Sequence, residues 1–451
     1  MDWEWYHDNL EGVRTDGVNS LSPDPVRYPH GMKYVAEEIE KMGLIPALWI
    51  GYTNEPESNE FIEKHPDALL VKRPEWCGQY FYDFSHPDYL NKYLPTAIEN
   101  VHKWGYKAVK YDTLPTAIIL HDRFHGNMYN PNLTTKEAFR NMIKKVRELL
   151  GKDMYALSCS GGGNASVLWG SDYFDAARIG EDIFSWDEYI RGCIEKLQIY
   201  YPLHNIQFLN DPDNVILREE FNTFEQAKSR ISLVSLLGLP MTFGDEFDVL
   251  DASRVELIKR NLPVLDIHPL DLTSPDLKKD NLIINLNVEL DQTNYLVSGL
   301  FNMTDKDDSR TYNLSKDFNL PKGEYLAYDF YRDEFLGTFN KEISLDFLPF
   351  ECRVLSVRQN TKLPQIVNTS RHIMAGAAEI KKIKQTKNQI DFTADLVKND
   401  TYTISVYIPN EYIIKSFDGF EKCEINGNIA KLSLLPTKTA NYTFKIKFAK
   451  N

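Results

Sequence analysis

Carboxylate and cationic side chains recur where short apolar segments in the N-terminal half of the chain end. Asp112 closes the segment KAVKYD, and Lys110, two residues earlier, shares its face of a strand. Arg178 lies in the segment AARIG, Asp182 follows that segment, and Asp213 follows IQFLN. A lone Asp at such a place is commonly a helix N-cap, but N-caps do not require Lys and Arg beside them. The set therefore indicates an active site built around carboxylates.

Paired carboxylates flanked by aromatic side chains are suited to hydrolysing a glycosidic bond. One carboxylate attacks the anomeric carbon, and the other protonates the leaving oxygen and then activates water. Lys110 would keep Asp112 charged and could donate to a sugar hydroxyl. Trp49 and the other aromatic residues, 12% of the chain, would offer stacking surfaces or simply fill large cores. We expect no metal and no cofactor, since no His stands among these segment ends, although carboxylates alone could bind Mg²⁺ or Ca²⁺.

Seven strand-like segments, most of them separated by amphipathic helical segments, predict a parallel sheet covered by helices. They lie at residues 2–6, 45–50, 107–112, 154–159, 176–180, 206–210 and 240–244. Active-site residues of a (β/α)8 TIM barrel lie at the C-terminal ends of its strands, which is where the chemistry-bearing residues stand here. Because such a barrel needs eight strands, we predict an α/β barrel over 1–268 that lacks its first strand in this chain. An open doubly wound sheet is the alternative.

The pattern changes after the predicted barrel. Strand-like runs dominate, and many alternate apolar with polar residues, as an antiparallel sheet with one buried face does. We predict an antiparallel β-sandwich over 275–360. A break at 359–370 predicts a second β-module over 365–451.

Composition narrows the class of partner. The formal net charge of −14 argues against nucleic acid and anionic membranes, and a neutral carbohydrate suits it better. No apolar run approaches the ~18 to 20 residues of a membrane span. Five widely spaced cysteines make no disulfide framework. The N-terminal segment has no signal-peptide pattern and reads as the middle of a domain, so we expect a truncated N-terminus. The compartment and the oligomeric state stay open.

Five blocks of the sequence resemble, in the same order, blocks of the α-galactosidase clan, which comprises glycoside hydrolase families 27 and 36. They are DPVRYPHGMKYVAEEIEKMGLIPALWI at 24–50, YDFSHPDYLNKYLPTAIENVHKWGYKAVKYD at 82–112, SCSGGG at 158–163, ARIGEDI at 177–183 and NDPD at 210–213. SCSGGG, with Cys159 and Gly161, resembles the substrate loop of family 36, to which the motifs are most similar.

This resemblance implies a retaining exo-α-glycosidase that removes terminal α-galactosyl-type residues by double displacement. Asp112 would be the nucleophile and Asp182 the acid/base. Substrate contacts are implied for Asp2, Trp3, Trp49, Lys110, Cys159, Gly161, Arg178 and Asp213. The segment GSDYFDAAR at 170–178 resembles a family 36 pattern that would instead make Asp172 the acid/base.

The sequence departs from the clan in two places. The clan usually has Asp-Asp-x-Trp at the end of the second strand, where this chain has Asp2-Trp3-Glu4-Trp5. Trp3 thus replaces a carboxylate that binds O4 and O6 of galactose in the clan. Action on N-acetylgalactosamine or arabinopyranose, transfer rather than hydrolysis, and an inactive sugar-binding relative therefore stay as alternatives. Cys77 matches one cysteine of a family 27 disulfide, but Leu114 stands at the other position.

Overall fold

The computed structural model describes residues 5–6, 18–269, 272, 276, 280–291 and 293–450. The chain divides into two compact units. The first comprises the described residues of Met1–Asp182 and Arg191–Asp213, and the second those of Ile183–Ile190 and Asn214–Asn451. The predicted domain limits of 1–268, 275–360 and 365–451 stay predictions.

Helices and strands alternate along the first part of the chain. They are α1 (Gly31–Lys41), β1 (Ala47–Ile50), β2 (Asn54–Glu55), α2 (Glu60–Lys64), β3 (Leu69–Glu75), β4 (Gly78–Tyr82), α3 (Leu94–Trp104), β5 (Ala108–Tyr111), α4 (Leu114–Arg123), α5 (Thr135–Leu150), β6 (Tyr155–Ser158), α6 (Asn164–Gly170), β7 (Ala176–Arg178), α7 (Trp186–Tyr189), α8 (Glu195–Tyr200) and β8 (Leu209–Asp211). All but α7 belong to the first unit.

Five parallel strands of the described chain form the sheet of the first unit, in the order β1-β5-β6-β7-β8. These strands correspond to five of the seven predicted from the sequence. The intervening helices form where their sequences suit a surface helix. For example, α5 begins with a capping box between Thr134 and Glu137 and buries one apolar face.

The other two predicted strands are the segments 2–6 and 240–244. Of 2–6, only Trp5 and Tyr6 are described, and they form a turn rather than a strand; the rest lies outside the described residues. The segment 240–244 forms no strand, and within the second unit Thr242 makes a single bridge to Asn214. In the described residues the barrel sheet is therefore open, with β1 and β8 at its edges.

A small antiparallel sheet that the sequence analysis did not predict follows β1. Its order is β2-β4-β3, and β3 and β4 form a hairpin. Gly78 begins β4 with φ +138, and a Cβ there would stand 2.7 Å from the side chain of Asn54 and from the backbone oxygen of Glu55. Only glycine suits this turn, because both its backbone conformation and its surroundings exclude a side chain.

The carboxyl of Glu55 is fully buried in the first unit. It accepts hydrogen bonds from the Ser20 hydroxyl, from the Ser20 N–H at 3.0 Å, from the Tyr93 hydroxyl at 2.5 Å and from the Asn59 amide at 3.1 Å. Burial nevertheless raises the pKa of Glu55 from 4.5 to about 7, because desolvation outweighs these donors. The carboxyl thus attaches the segment around Ser20 to β2.

We expect Glu55 to make the first unit less stable as the pH rises from about 4.5 to about 7. In that range the folded state holds a proton that the unfolded state has lost, so the stabilisation is complete below 4.5 and is lost above the folded pKa. This difference between the folded and unfolded pKa of Glu55 changes the free energy of unfolding by about 3 kcal/mol. Urea unfolding between pH 5 and pH 8 measures it, with Glu55→Gln as the neutral isostere and the exposed Glu40→Gln as control. A Glu55→Gln variant that keeps the wild-type pH slope would contradict the assignment.

The second unit begins with helices and continues as antiparallel β-structure. After α7 it contains α9 (Phe224–Leu236), α10 (Ala252–Asn261), β9 (Asn281–Leu290), β10 (Thr293–Asn302), β11 (Asp308–Asn313), β12 (Tyr325–Asp329), β13 (Glu334–Phe339), β14 (Glu342–Phe347), β15 (Cys352–Gln359), β16 (Gln365–Thr369), β17 (Ile380–Thr386), β18 (Gln389–Leu396), β19 (Tyr402–Tyr407), β20 (Tyr412–Asp418), β21 (Lys422–Asn426), β22 (Ile429–Leu434) and β23 (Ala440–Lys450). The predicted antiparallel character of this region is confirmed.

The strands of the second unit form four sheets within the described residues. They are β13-β12-β15-β10-β9, β11-β14, β16-β19-β22-β21 and β17-β18-β23-β20. An apolar core that includes Leu300, Tyr312 and Leu355 lies between the first two. None of the described helices is long and apolar enough to cross a bilayer.

Candidate active site

The site lies at the C-terminal edge of the parallel sheet, where the ladder of backbone hydrogen bonds continues past the strand ends. The Asp112 N–H donates to the Ile50 oxygen at 2.8 Å, and the Cys159 N–H donates to the Tyr111 oxygen at 2.8 Å. The Ile179 N–H donates to the Asp211 oxygen at 3.0 Å. Residues just beyond β5, β6 and β7 are thereby fixed along a single edge.

Asp112 is oriented by two donors. The indole N–H of Trp49, on β1, donates to its Oδ2 at 3.0 Å, and the Thr113 N–H donates to its Oδ1 at 2.6 Å. The N-cap of the following helix α4 is Thr113, with φ +67 and no side-chain capping bond. Asp112 therefore does not cap that helix, and the common explanation for an Asp after a strand does not apply. Its half-buried carboxylate is left facing the edge of the sheet.

Arg178 is the cationic centre of the edge. Its side chain is only 2% exposed, and it pairs with Asp182 at 2.6 Å and with Asp213 at 2.9 Å. Burial lowers the pKa of Arg178, but its interactions with Cys159 and with the carboxylates of Asp213, Asp211 and Asp182 outweigh burial and hold the pKa above its ordinary value. Asp182 itself is 78% exposed, so this carboxylate is held at one end and reaches into solvent.

Cys159 connects the two carboxylates. Its buried thiol receives a hydrogen bond from the Arg178 guanidinium at 3.7 Å. Burial raises the pKa of Cys159, and the Asp112 charge raises it further, while Arg178 and Lys110 act in the opposite direction. The thiol therefore stays protonated at neutral pH. The Cys159 thiol is thus influenced by Asp112 and bonded to Arg178, which pairs with Asp182, so it relates the two carboxylates at this edge.

No family model matches this sequence. Its structure is nevertheless similar to that of a GH27 β-L-arabinopyranosidase from Geobacillus stearothermophilus, with 15% sequence identity, a TM-score of 0.60, and 79% of this chain and 87% of that chain covered. A putative α-N-acetylgalactosaminidase from Bacillus halodurans C-125 matches at 15% identity and a TM-score of 0.57, over 78% and 87%. α-Galactosidase I from Mortierella vinacea matches at 17% and 0.51, over 74% and 82%. The chain has the fold of the α-galactosidase clan.

The clan fold confirms the fold class that the sequence predicts, a TIM-type barrel followed by an antiparallel β-sandwich. In the described residues the barrel sheet is open. The greater likeness of the motifs to family 36 stays a prediction.

The structure brings most of the predicted clan residues together. Asp112, Trp49, Cys159, Arg178, Asp182 and Asp213 are joined by the contacts given above. Lys110 lies on β5, in register with Trp49 on β1 and Leu157 on β6, and its charge reaches the Cys159 thiol. Asp2 and Trp3 lie outside the described residues.

Asp172, the alternative acid/base, lies elsewhere. It precedes β7 and therefore stands at the N-terminal edge of the sheet, opposite the residues above. Its exposed carboxylate pairs with Arg140 of α5 at 2.6 Å and accepts a hydrogen bond from Gln207 at 3.0 Å. This position does not bring it near Asp112.

Close backbone contacts position the loop that carries Asp182. A Cβ on Gly180 would stand 1.8 Å from the Gly192 oxygen, in the π-helical turn Ile190–Ile194. A Cβ on Gly162, at φ +71, would stand 2.9 Å from the Ile179 oxygen. No side chain fits at either position, so the Asp182 loop meets the π-helical turn at Gly192 and the SCSGGG loop at Gly162 through bare backbone. At Gly161, whose φ is +52, a Cβ would stand 3.5 Å from the Pro115 side chain.

Sequence reasoning missed the β3–β4 hairpin, whose tip carries Trp76 and Cys77. All five cysteines are free, in agreement with the expected absence of the family 27 disulfide. Burial raises the pKa of the Cys77 thiol, and the charge of Asp112 raises it further, so the tip lies near the candidate nucleophile. The signal was present in RPEWCGQYFYD, where a glycine follows an extended run and precedes aromatic alternation.

Proposed function

We propose that this chain is a retaining exo-α-glycosidase that hydrolyses terminal α-galactosyl-type residues, with Asp112 as nucleophile and Asp182 as acid/base. The observation that carries the proposal is the link Asp112–Cys159–Arg178–Asp182, which gathers two carboxylates at the C-terminal edge of a barrel-type sheet. That edge is where enzymes of this architecture keep their active sites. The structural neighbours, named as α-galactosidase, arabinopyranosidase and putative α-N-acetylgalactosaminidase, support the same class.

The first step forms a covalent glycosyl ester. An oxygen of Asp112 attacks the anomeric carbon, while Asp182 gives its proton to the glycosidic oxygen and the alcohol leaves. The Trp49 and Thr113 N–H groups fix the direction of the attacking carboxylate, which reduces the reorganisation needed to reach the transition state. Retention requires the two carboxyl groups to lie about 5 to 5.5 Å apart when substrate is bound.

The second step reverses the roles. Asp182, now a carboxylate, takes a proton from water, the oxygen of that water attacks the anomeric carbon, and the bond to Asp112 breaks. Arg178 orients Asp182 through the 2.6 Å contact. Because Asp213 also pairs with Arg178, the buried guanidinium keeps a counter-charge whenever Asp182 is protonated.

The identity of the sugar is the open part of the proposal. Trp3 stands where the clan has a carboxylate, and an indole cannot accept hydrogen bonds from the O4 and O6 hydroxyls. A site that does not bond a hydroxyl discriminates weakly against sugars lacking it. We therefore propose that an arabinopyranoside, the pentose analogue without C6, is accepted nearly as well as a galactoside.

A set of nitrophenyl glycosides tests this proposal. We expect kcat/KM for the β-L-arabinopyranoside to lie within about tenfold of that for the α-galactoside, which is a difference of about 1.4 kcal/mol or less in transition-state binding. The α-N-acetylgalactosaminide is the third substrate, and Asp112→Asn provides the inactive blank. A galactoside preference far beyond tenfold would contradict the weak recognition of O6, and no turnover of any glycoside would favour an inactive sugar-binding relative.

A further inference from the structure

Trp76 is a large apolar side chain in an unusual place. It is 57% exposed and occupies the tip of the hairpin formed by β3 and β4. Most tryptophans bury their rings, because these provide some of the largest apolar surfaces in a protein. A tryptophan ring that is exposed at a defined position is therefore a candidate ligand-binding surface.

The ring of Trp76 is held in one orientation. Its N–H donates to the Thr116 hydroxyl at 2.9 Å. The backbone beneath it is fixed as well, since the Asn54 amide donates to the Cys77 oxygen at 2.5 Å and Gly78 admits no side chain. A rigid ring loses little conformational entropy when a ligand packs against it.

The same contacts place Trp76 at the rim of the candidate active site. Thr116 lies in the first turn of α4, four residues after Asp112. Cys77, the next residue along the hairpin, is buried and lies close enough to Asp112 for that charge to raise the pKa of its thiol. The indole therefore stands on the solvent side of the nucleophile rather than in the core beneath it.

We propose that Trp76 is a stacking platform for the sugar ring next to the one that Asp112 attacks, the first ring of the leaving group. This inference rests on the proposed function. An exo-acting site encloses only the terminal sugar, so the remainder of the substrate must cross the rim. A pyranose presents a face of C–H groups that packs on an indole, as amphipathic ligands do on Trp at binding sites. The preferred substrate is thus a glycoside whose leaving group is itself a sugar.

The test compares two substrates that share the glycosyl group. One is a disaccharide with a second pyranose ring as leaving group, and the other is the glycosyl fluoride, whose leaving group has no ring. For Trp76→Ala we expect the ratio of kcat/KM for the disaccharide to that for the fluoride to fall by about tenfold. Trp76→Phe, which keeps a ring, should recover most of this ratio.

The control is Tyr129→Ala, since Tyr129 is 63% exposed but lies beyond the C-terminal end of α4, away from Asp112. This variant should leave the ratio unchanged. A Trp76→Ala variant that loses both activities equally, or neither, overturns the platform while the glycosidase proposal stands. If the unaltered chain does not hydrolyse the fluoride, the proposed function fails and the platform fails with it.

Discussion

Replacing Asp112 with Asn is expected to abolish hydrolysis of every glycoside that the chain accepts. The amide has the shape of the carboxylate and keeps an oxygen for the Trp49 N–H. It cannot form the glycosyl ester, so the covalent route is closed. We expect kcat to fall by roughly 10⁴-fold or more, the scale seen when a hydrolase loses its nucleophile.

A chemical rescue distinguishes loss of the nucleophile from loss of structure. Asp112→Gly leaves room at the end of β5, and added azide should enter from that side and displace the leaving group. The product should be a glycosyl azide of inverted configuration, which NMR of the anomeric proton identifies. Rescue with retained configuration, or an Asp112→Asn variant that keeps substantial activity, would reject Asp112 as the nucleophile.

Replacing Asp182 with Asn is expected to have an effect that depends on the leaving group. General acid catalysis contributes typically 10² to 10⁴-fold, and a leaving group that departs as a stable anion needs little of it. We therefore expect kcat/KM to fall by about 10³-fold for alkyl or sugar leaving groups and by less than about tenfold for dinitrophenyl glycosides. Steady-state kinetics over a series of leaving groups of graded acidity measures this.

Asp172→Asn is the matched control for that experiment. Asp172 also carries a carboxylate paired with an arginine, but it lies at the opposite edge of the sheet. It should show wild-type kinetics on every leaving group. If Asp172→Asn lowers kcat/KM in a way that depends on the leaving group and Asp182→Asn does not, the acid/base assignment moves to Asp172. If neither substitution lowers kcat/KM, the retaining mechanism fails.

The sequence predicts the parts of this molecule that depend on local pattern. The strand that ends before Asp112 could be placed within one residue because its apolar run is short and bounded. The positions of Asp112 and Asp182 at one edge follow from the rule that parallel strands carry their active sites at their C-terminal ends. The antiparallel region follows from alternation of apolar and polar residues.

The parts that could not be predicted depend on contacts between distant residues. The approach of Cys159 to both Asp112 and Arg178 requires the order in which β5, β6 and β7 pair. The hairpin bearing Trp76 is fixed by Asn54, more than twenty residues earlier. The segment 240–244 has the local pattern of a strand, but its pairing is limited to the bridge between Thr242 and Asn214, which depends on a distant partner.

The contact between Gly180 and Gly192 sets a limit on redesign of this site by directed evolution. Because a Cβ at Gly180 would overlap the Gly192 oxygen, nearly every member of a library randomised across residues 179–183 would carry a displaced loop unless position 180 were kept fixed. Glu181 is exposed and can be varied without that penalty, whereas Asp182 has to be kept as the proposed acid/base. Productive diversity for a new leaving group therefore lies in Glu181 and in the hairpin tip, while Gly180 and Asp182 stay fixed in the library.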